Sequence, residues 1–242
     1  MNTTPTKASI ASRALTVRGR QKSVTLGTDL QRERILKAAE GLFAIHGYVN
    51  TTLELIVAKL GVSKPFLYYY FRDKQEIFET LSWTPTVDCF TVLDFPEDDT
   101  RAAHIKVAEG LEQLIRATVN NYPAAFFAYQ YPQAFRPEML AAQKKIANCF
   151  YDRLCTLLEE ARDNGMVCFT ETKITALAAC SIPGFMSHWY RPDGRLGTED
   201  MVKELTSLAW RVIGLRRSRR PSPQPPSKSL PKKGSKTSGR PS

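Results

Sequence analysis

Apolar residues recur every three to four positions through most of the chain, which is the spacing of one face of an α-helix. Between Arg32 and Gly47 they fall at i, i+1, i+4, i+7 and i+8, and Gly47 is a suitable residue to end such a helix. The segment 53–60 repeats this spacing and ends at Gly61, and Ser63 is a good N-cap for a third helix. The pattern predicts a run of short helices near the start of the chain.

Helix-capping side chains support these boundaries. Three pairs have the capping-box spacing, in which an N-cap residue is followed three positions later by an acid or amide: Thr28 and Gln31, Thr51 and Glu54, Asp73 and Glu76. Pro65 falls in the first turn of the third helix, where its missing N–H costs little. The last pair opens a fourth helix, which we expect Pro85 to break or kink.

The rest of the chain also has helical spacing, so the predicted fold class is all-α. A long helix over 100–122 precedes a short aromatic segment over 124–135, and the longest helix begins at Pro137 and is closed by Gly165. Two further helices carry wide apolar faces, 171–190 and 198–215, and Thr198, Glu199 and Asp200 cap the second.

The third predicted helix has an unusual aromatic surface. At 100° per residue, Leu67 and Phe71 fall on one side of KPFLYYYF and suit a core, while Phe66 and Tyr69 fall on the opposite side. A helix with aromatic residues all round needs something to cover it. Either the tyrosines are buried against the rest of the chain, or this is the second helix of a helix-turn-helix that enters the DNA major groove.

Charge is concentrated at the two ends of the chain. The net charge is +10, yet residues 1–28 hold five Lys or Arg, residues 215–242 hold nine, and neither end contains an acid. Both ends are rich in Pro, Ser, Thr and Lys, which predicts disordered tails. These tails either keep the chain soluble or attract DNA by neutralising phosphates. The segment 29–82 has seven bases and seven acids, so any DNA contact there depends on local placement.

Several classes of protein are disfavoured by what the sequence lacks. It has neither a run of 18 apolar residues nor a secretory signal, and the similarity of its first residues to a transit peptide is weak. The five cysteines lack C-x-x-C spacing and indicate reduced thiols, with a thiol sensor as the alternative. The histidines lack metal-ligand spacing, and no nucleophile or nucleotide-binding motif occurs. We expect a cytoplasmic protein without membrane association, enzymatic activity, metal or cofactor.

The stretch from Gly47 to Phe78, GYVNTTLELIVAKLGVSKPFLYYYFRDKQEIF, resembles the DNA-binding segment of the TetR family of bacterial transcriptional regulators. The shared pattern is a glycine, two threonines, a helix ending in Gly-Val-Ser, a Leu-Tyr-x-x-Phe recognition helix, then a lysine and an acid. The resemblance implies a repressor that binds a palindromic operator on double-stranded DNA as a homodimer and is released by a small hydrophobic ligand. It implies four parts: a basic extension (1–28), a three-helix DNA-binding domain with the helix-turn-helix (29–82), a helical ligand-binding and dimerisation domain (83–215) and a basic tail (216–242).

The family's DNA-contacting positions carry over residue by residue. The implied phosphate contacts come from the helix starts and the flanks of the recognition helix, and the implied groove contacts from its exposed face: Thr51, Thr52, Ser63, Lys64, Pro65, Phe66, Tyr68, Tyr69, Tyr70 and Lys74. Many members have a small residue where Pro65 and Phe66 stand. This departure leaves the operator sequence open.

The second domain supplies candidates for a ligand pocket and a dimer interface. Aromatic and methionine residues of its middle helices are candidates for the pocket wall, with plain core as the alternative: Phe90, Phe126, Phe127, Tyr129, Phe135, Met139, Phe150 and Phe185. Apolar stripes on the last two long helices are candidates for a four-helix bundle between two copies, with an intramolecular core as the alternative: Ala176, Ala179, Ile182, Leu205, Leu208 and Val212.

The stretch HWYRPDGRL, residues 188–196, contains turn-forming residues and also resembles a junction in TetR-type repressors of fatty-acid and steroid catabolism. Those proteins sense acyl-CoA thioesters, so the effector is either an acyl-CoA or another hydrophobic molecule. Two other classes compete with a ligand-responsive regulator. One is an architectural DNA-binding protein that relies on its basic tails, and the other is an enzyme on a helical scaffold, which the absence of catalytic motifs disfavours.

Overall fold

A computed structural model describes residues 26–216, with side chains from residue 29. Both basic tails, predicted to be disordered, lie almost wholly outside the described residues. Every regular element in 26–216 is helical, as predicted, and no helix in this range is long and apolar enough to span a bilayer. The helices are α1 Leu26–Asn50, α2 Leu53–Leu60, α3 Lys64–Tyr70, α4 Lys74–Phe90, α5 Ala103–Asn120, α6 Phe127–Gln130, α7 Pro137–Asp163, α8 Thr172–Gly184, α9 Met186–Trp189 and α10 Thr198–Val212, with 3₁₀ turns at Ala124–Phe126 and Pro132–Ala134.

Helices α1 to α3 and the start of α4 pack around a small core, in which Ile35, Ile56 and Leu67 are fully buried. Helix α1 begins before Thr28, so Thr28 is not its N-cap as predicted. Gly47 bends the chain near the end of α1 with φ of 74°. A Cβ at this position would lie 2.7 Å from the Tyr131 hydroxyl oxygen, so glycine is needed for the close approach as well as for the backbone.

The predicted caps are correct at α3 and α4 but not at α1, α2 or α10. Ser63 caps α3 and accepts from the Phe66 N–H at 3.4 Å, and Asp73 caps α4 and accepts from the Glu76 N–H at 2.7 Å. Helix α2 is capped by Thr52 and not by Thr51. In helix α10 the N-cap is Gly197, and Thr198, which was predicted to cap it, is the first residue of the helix.

Helix α4 runs without a break from the DNA-binding segment into the second domain. Pro85 lies inside it and is buried, so of the two outcomes expected at Pro85, a break or a kink, the break does not occur. Packing of this helix on both domains outweighs the lost backbone hydrogen bond, which costs about 3 kcal/mol in an isolated helix. The predicted domain boundary at residue 82 therefore falls within a continuous helix.

The second domain is a bundle of α4, α5, α7, α8 and α10. Its core contains Val107, Leu154 and Ala209, which are fully buried, and Trp210 donates from Nε1 to the Ala108 carbonyl at 3.1 Å. A Cβ at Gly110 would lie 2.1 Å from Leu93 Cδ2, so glycine lets α5 approach the turn that follows α4 without displacing the buried Leu93 side chain.

Aromatic side chains join the two domains. We call this group the interdomain cluster: Phe43, Tyr48, Phe78, Phe127, Tyr131 and Phe135. The Phe78 ring lies at its centre and stacks on Phe127 with 5.2 Å between centroids. Because the cluster combines rings from α1, α4 and the segment 124–135, it holds the DNA-binding segment against the bundle.

Candidate nucleic-acid interface and internal cavity

Helix α3 presents the aromatic surface that the sequence indicated. Leu67 and Phe71 are buried, whereas Tyr68 is 52% and Tyr69 is 64% exposed, so the rest of the described chain does not cover these two tyrosines. The Tyr70 ring is half-buried and contacts Phe66 at 5.1 Å between centroids. The two rings pack against each other across one turn, and the exposed face of α3 is aromatic.

The two threonines before α2 have different roles. Thr52 is exposed and caps α2, with its side chain accepting from the Leu55 N–H at 3.3 Å. Thr51 is fully buried, and its hydroxyl lies within hydrogen-bond distance of the Leu42 and Gly47 carbonyls, at 3.1 and 2.8 Å. The Thr51 side chain therefore holds the end of α1 in place and does not face the proposed DNA surface.

Two lysines at this surface are paired within the chain. Lys64 Nζ lies 2.5 Å from Glu54 Oε1, and this hydrogen bond holds the pKa of Glu54 at about 2. Lys74 donates to the Tyr48 carbonyl at 2.7 Å, and Nζ lies 4.2 Å from the Tyr48 ring centroid. Desolvation at this place lowers the pKa of Lys74. A phosphate contact by either lysine requires an exchange or a sharing of these partners.

Glu54→Gln is expected to strengthen binding to any double-stranded DNA by about threefold to tenfold at low salt, because it removes a carboxylate beside the proposed phosphate contacts and releases Lys64. A titration by fluorescence anisotropy at several salt concentrations measures this effect. Glu159→Gln, which removes an exposed carboxylate from the distant helix α7, is the control. Unchanged or weaker binding by Glu54→Gln would place Glu54 away from the DNA.

A partly open apolar cavity of about 370 Å³ lies between α4, α5, α7 and α8. Three predicted pocket residues line it, namely Phe90, Phe126 and Tyr129. Other residues of its wall are neutral and mostly buried: Thr86, Cys89, Leu114, Thr118, Gln143, Tyr151, Cys180 and Pro183. Exposed lining residues mark the mouth: Tyr129, Pro132, Lys144 and Gly184.

The other five predicted pocket residues lie elsewhere. Phe127 and Phe135 belong to the interdomain cluster, and Met139 packs against it. Phe150 is in the bundle core behind Phe90, with 5.4 Å between ring centroids. Phe185 is 65% exposed on the outside. Consecutive aromatic residues on short helical turns face opposite directions, so composition alone does not assign them to one wall.

A wider, open groove of about 1090 Å³ lies beside the C-terminal end of α4. Charged side chains line it: Arg153 pairs with Asp94 inside the groove, and Arg116 pairs with Glu112, which lies outside its lining. An apolar ligand in this groove would remain in contact with water and charged groups. The smaller cavity, whose lining is mostly apolar, is therefore the better ligand site.

The predicted dimer residues divide into two groups. Ala176, Ala179 and Leu205 are at most 6% exposed and pack in the core of their own chain, which favours the intramolecular alternative for these three. Ile182 is partly buried, whereas Leu208 and Val212 are exposed on α10. Residues not predicted for the interface continue the exposed stripe on α8 and beyond: Ile174, Leu177 and Phe185. We call these three with Leu208 and Val212 the outer stripe.

An interdomain ion-pair group also escaped sequence analysis. The Arg136 guanidinium contacts the Glu79 carboxylate and lies 2.7 Å from Asp73 Oδ2, and the Arg136 N–H donates to Glu79 Oε1 at 2.6 Å. Glu79 is 5% exposed. Since Asp73 caps α4 beside the recognition helix, Arg136 ties the start of α7 to the DNA-binding segment.

These features define a helix-turn-helix protein whose DNA-binding segment is joined to a helical domain with an apolar cavity. The profile described as bacterial regulatory proteins, tetR family, matches residues 35–81, and that described as tetracyclin repressor-like, C-terminal domain, matches 102–213. Together they cover most of the described chain. The chain belongs to the TetR family of transcriptional regulators.

Curated relatives are regulators of different kinds. The transcriptional activator FasR of Mycolicibacterium smegmatis is 24% identical over 211 residues, which are 79% of this chain and 87% of FasR. The repressor AcnR of Corynebacterium diphtheriae is 28% identical over 87 residues (36% of this chain), and the regulator YdgC of Bacillus subtilis is 40% identical over 50 residues (21% of this chain). The aligned parts span only 39% of AcnR and 26% of YdgC.

Solved structures share the fold. PfmR from Thermus thermophilus superposes with a TM-score of 0.65 at 24% identity, covering 76% of this chain and 100% of PfmR. The ketosteroid regulator KstR2 of Mycobacterium tuberculosis has a TM-score of 0.65 at 18% identity, covering 77% and 96%. AibR in complex with isovaleryl coenzyme A and operator DNA has a TM-score of 0.61 at 16% identity, covering 77% and 100%.

Proposed function

We propose that this protein is a cytoplasmic repressor that binds a palindromic operator as a homodimer and leaves it when a small hydrophobic molecule fills the cavity. The observation that carries the proposal is the uncovered aromatic face of α3, with Tyr68 and Tyr69 exposed in a helix-turn-helix. An exposed aromatic face of this kind marks a surface that a partner covers. The major groove admits one α-helix, which matches the size of α3.

The exposed face of α3 supplies the proposed base contacts. Tyr69, Pro65 and Phe66 would lie against base edges, where apolar atoms meet thymine methyl groups, and Lys64 would reach a base acceptor or a phosphate. Tyr68 and Tyr70 would donate to phosphates on the groove walls, and Thr52 and Ser63 lie at helix starts suited to anions. A two-fold pair of such helices would contact successive major grooves.

The segment 124–135 supports a route between cavity and DNA. One side of it lines the cavity through Phe126 and Tyr129, and the other side enters the interdomain cluster through Phe127 and Tyr131. A ligand that displaces the first side must also displace rings that hold the DNA-binding segment. The proposed release is a shift of population towards dimers whose recognition helices no longer match the operator.

An acyl-CoA is a second candidate for the effector. The acyl group would fill the apolar cavity, and the nucleotide would stay outside the mouth, where Lys144 is exposed. The junction 188–196, whose resemblance motivates this candidate, places Tyr190 in the core against Tyr122, with 5.0 Å between ring centroids, and leaves Trp189 half-exposed. Sequence similarity at this junction favours the acyl-CoA, whereas the cavity alone admits any compact apolar molecule.

Tyr69→Ala is expected to weaken operator binding by about 1–3 kcal/mol and to relax base preference at one or two positions, since it removes a groove contact. Tyr69→Phe should retain most of the affinity if the ring makes the contact. Gel-shift titrations against the operator and a scrambled duplex measure both. An architectural protein that binds through its basic tails would keep its full affinity in Tyr69→Ala, and that result would reject the proposed function.

A further inference from the structure

The cavity wall contains two threonines whose hydroxyl hydrogens are already donated to backbone carbonyls. Thr86 Oγ1 donates to the Ser82 carbonyl at 2.8 Å, and Thr118 Oγ1 donates to the Leu114 carbonyl at 2.8 Å. A hydroxyl group has a single hydrogen to donate. Towards their other neighbours these threonines can only accept, so they act as hydrogen-bond acceptors in the wall.

This constraint settles the orientation of the Gln143 amide. Gln143 is 6% exposed, and its Nε2 lies 3.4 Å from Thr86 Oγ1. Because Thr86 has no hydrogen left, the amide nitrogen must donate to it, and Gln143 Oε1 is turned to the other side. No group in residues 29–216 donates to Oε1. Thr206 Oγ1 is the one fully buried side-chain polar atom without a partner in the described residues, so Oε1 keeps accessible surface. Since Gln143 lines the cavity, a molecule bound there can donate a hydrogen to Oε1.

Apart from Lys144 at the mouth, the residues that line the cavity are uncharged. Cys89 Sγ lies 3.6 Å from Thr118 Oγ1 and donates to it by the same reasoning, and burial raises the pKa of Cys89 to about 11. Burial also raises the pKa of Cys180 and of Tyr151, each to about 12. Lys144 is the one charged residue that lines the cavity in the described chain, and it lies at the exposed mouth. An anionic group placed deep in the cavity would therefore meet neutral groups and no cation.

We propose that the effector carries an uncharged hydrogen-bond donor, a hydroxyl or an N–H, on its buried end, and that Gln143 Oε1 accepts this hydrogen. The inference rests on the proposed function of the cavity as the effector site. A purely hydrocarbon end leaves Oε1 without a donor, and a carboxylate opposes it with a second acceptor. The requirement concerns the buried end alone, so a free alcohol and a hydroxylated acyl thioester both satisfy it.

Matched ligand series test this requirement on the unaltered protein. One series is hexanol, heptane and heptanoate, and a rigid series is para-phenylphenol, para-methylbiphenyl and biphenyl carboxylate. Within each series the skeleton is kept and the end group changes from hydroxyl to methyl to carboxylate. The shift in melting temperature with ligand concentration gives the affinities. We expect the hydroxyl member to bind about tenfold or more tightly than the methyl member, and the carboxylate to bind most weakly.

Variants assign the preference to Gln143. Gln143→Leu, or Gln143→Met if the leucine variant does not fold, should bring the hydroxyl-to-methyl ratio close to one. Gln113→Leu removes an amide from the exposed surface of α5 and should leave the ratio unchanged. Hexanoyl-CoA and ω-hydroxyhexanoyl-CoA distinguish a thioester effector from a free alcohol. Preference for the hydroxylated thioester over hexanol would identify a thioester effector with the same buried donor, and the reverse order a free alcohol.

Three results would overturn the inference. Equal binding of hydroxyl and methyl members, or tightest binding of the carboxylate, contradicts the role of Gln143 and leaves the cavity as the effector site. A hydroxyl preference that survives in both Gln143 variants assigns the donor to another partner. Binding by no member of either series contradicts the cavity as an effector site, and with it the ligand-controlled part of the proposed function.

Discussion

Replacing Leu177 and Leu208 together by glutamate is expected to give a monomer that no longer occupies the operator at concentrations where the unaltered protein does. Both side chains belong to the outer stripe and are 44% and 46% exposed in the single chain. Buried in a two-fold interface, the four added carboxylates per dimer would each cost several kcal/mol. Light scattering gives the mass, and a gel-shift titration gives the operator affinity. Both should fall together, because a half-site alone binds weakly.

Ile105→Glu is the matched control for this experiment. Ile105 is 45% exposed, but it lies on α5, outside the outer stripe. The Ile105→Glu variant should remain dimeric and retain operator binding. A double variant that stays dimeric would show that the copies meet elsewhere. A monomeric wild type at micromolar concentration would remove the dimer from the proposed function altogether.

Arg136→Met is expected to lower the free energy of unfolding by about 3–5 kcal/mol, the usual cost of removing one partner of a buried ion pair. Glu79 is left buried without its cation, and Asp73 loses one of its partners at the cap of α4. Urea denaturation measures the loss. Since Arg136 joins the two domains, operator affinity should fall as well, even though Arg136 is not on α3.

The companion variants separate the ion pair from general damage. Arg153→Met removes the partner of Asp94 at the other end of the same helix, where the contact does not join the domains. Arg153→Met should lower the free energy of unfolding by less than Arg136→Met does, and it should leave operator affinity unchanged. The double variant Arg136→Met with Glu79→Gln should recover part of the lost stability, because the orphaned charge is gone. Full stability in Arg136→Met alone would contradict a structural role for the pair.

Local chemistry accounts for what the sequence predicted well. The faces of α3, the caps Ser63 and Asp73 and the end of α2 at Gly61 depend on residues within one or two helical turns. Such features are set by hydrogen bonds and steric limits that neighbours in sequence impose. The shift of the α2 cap from Thr51 to Thr52 shows the limit of this reasoning. Two adjacent threonines have the same chemistry, and only the fold buries one of them.

Long-range contacts account for what the sequence did not predict. Both faces of α8 are apolar, so periodicity could not decide that Ala176 faces its own core while Leu177 faces outwards. Phe126 and Phe127 are neighbours that enter different clusters. Arg136 pairs with Glu79, which is 57 positions away in the sequence, and no local pattern predicts such a pair. Pro85 continues a helix because packing on two domains overrides its local preference.

The unbroken helix α4 has a mechanical consequence. Its 17 residues make a rod of about 25 Å, with one end beside the recognition helix and the other in the cavity wall. A tilt of about 5° about the cavity end would displace the far end by about 2 Å, several times the range over which a hydrogen bond keeps its strength. Under the proposed function, a small movement of the cavity wall by a ligand would therefore be enough to shift the recognition helix out of register with DNA.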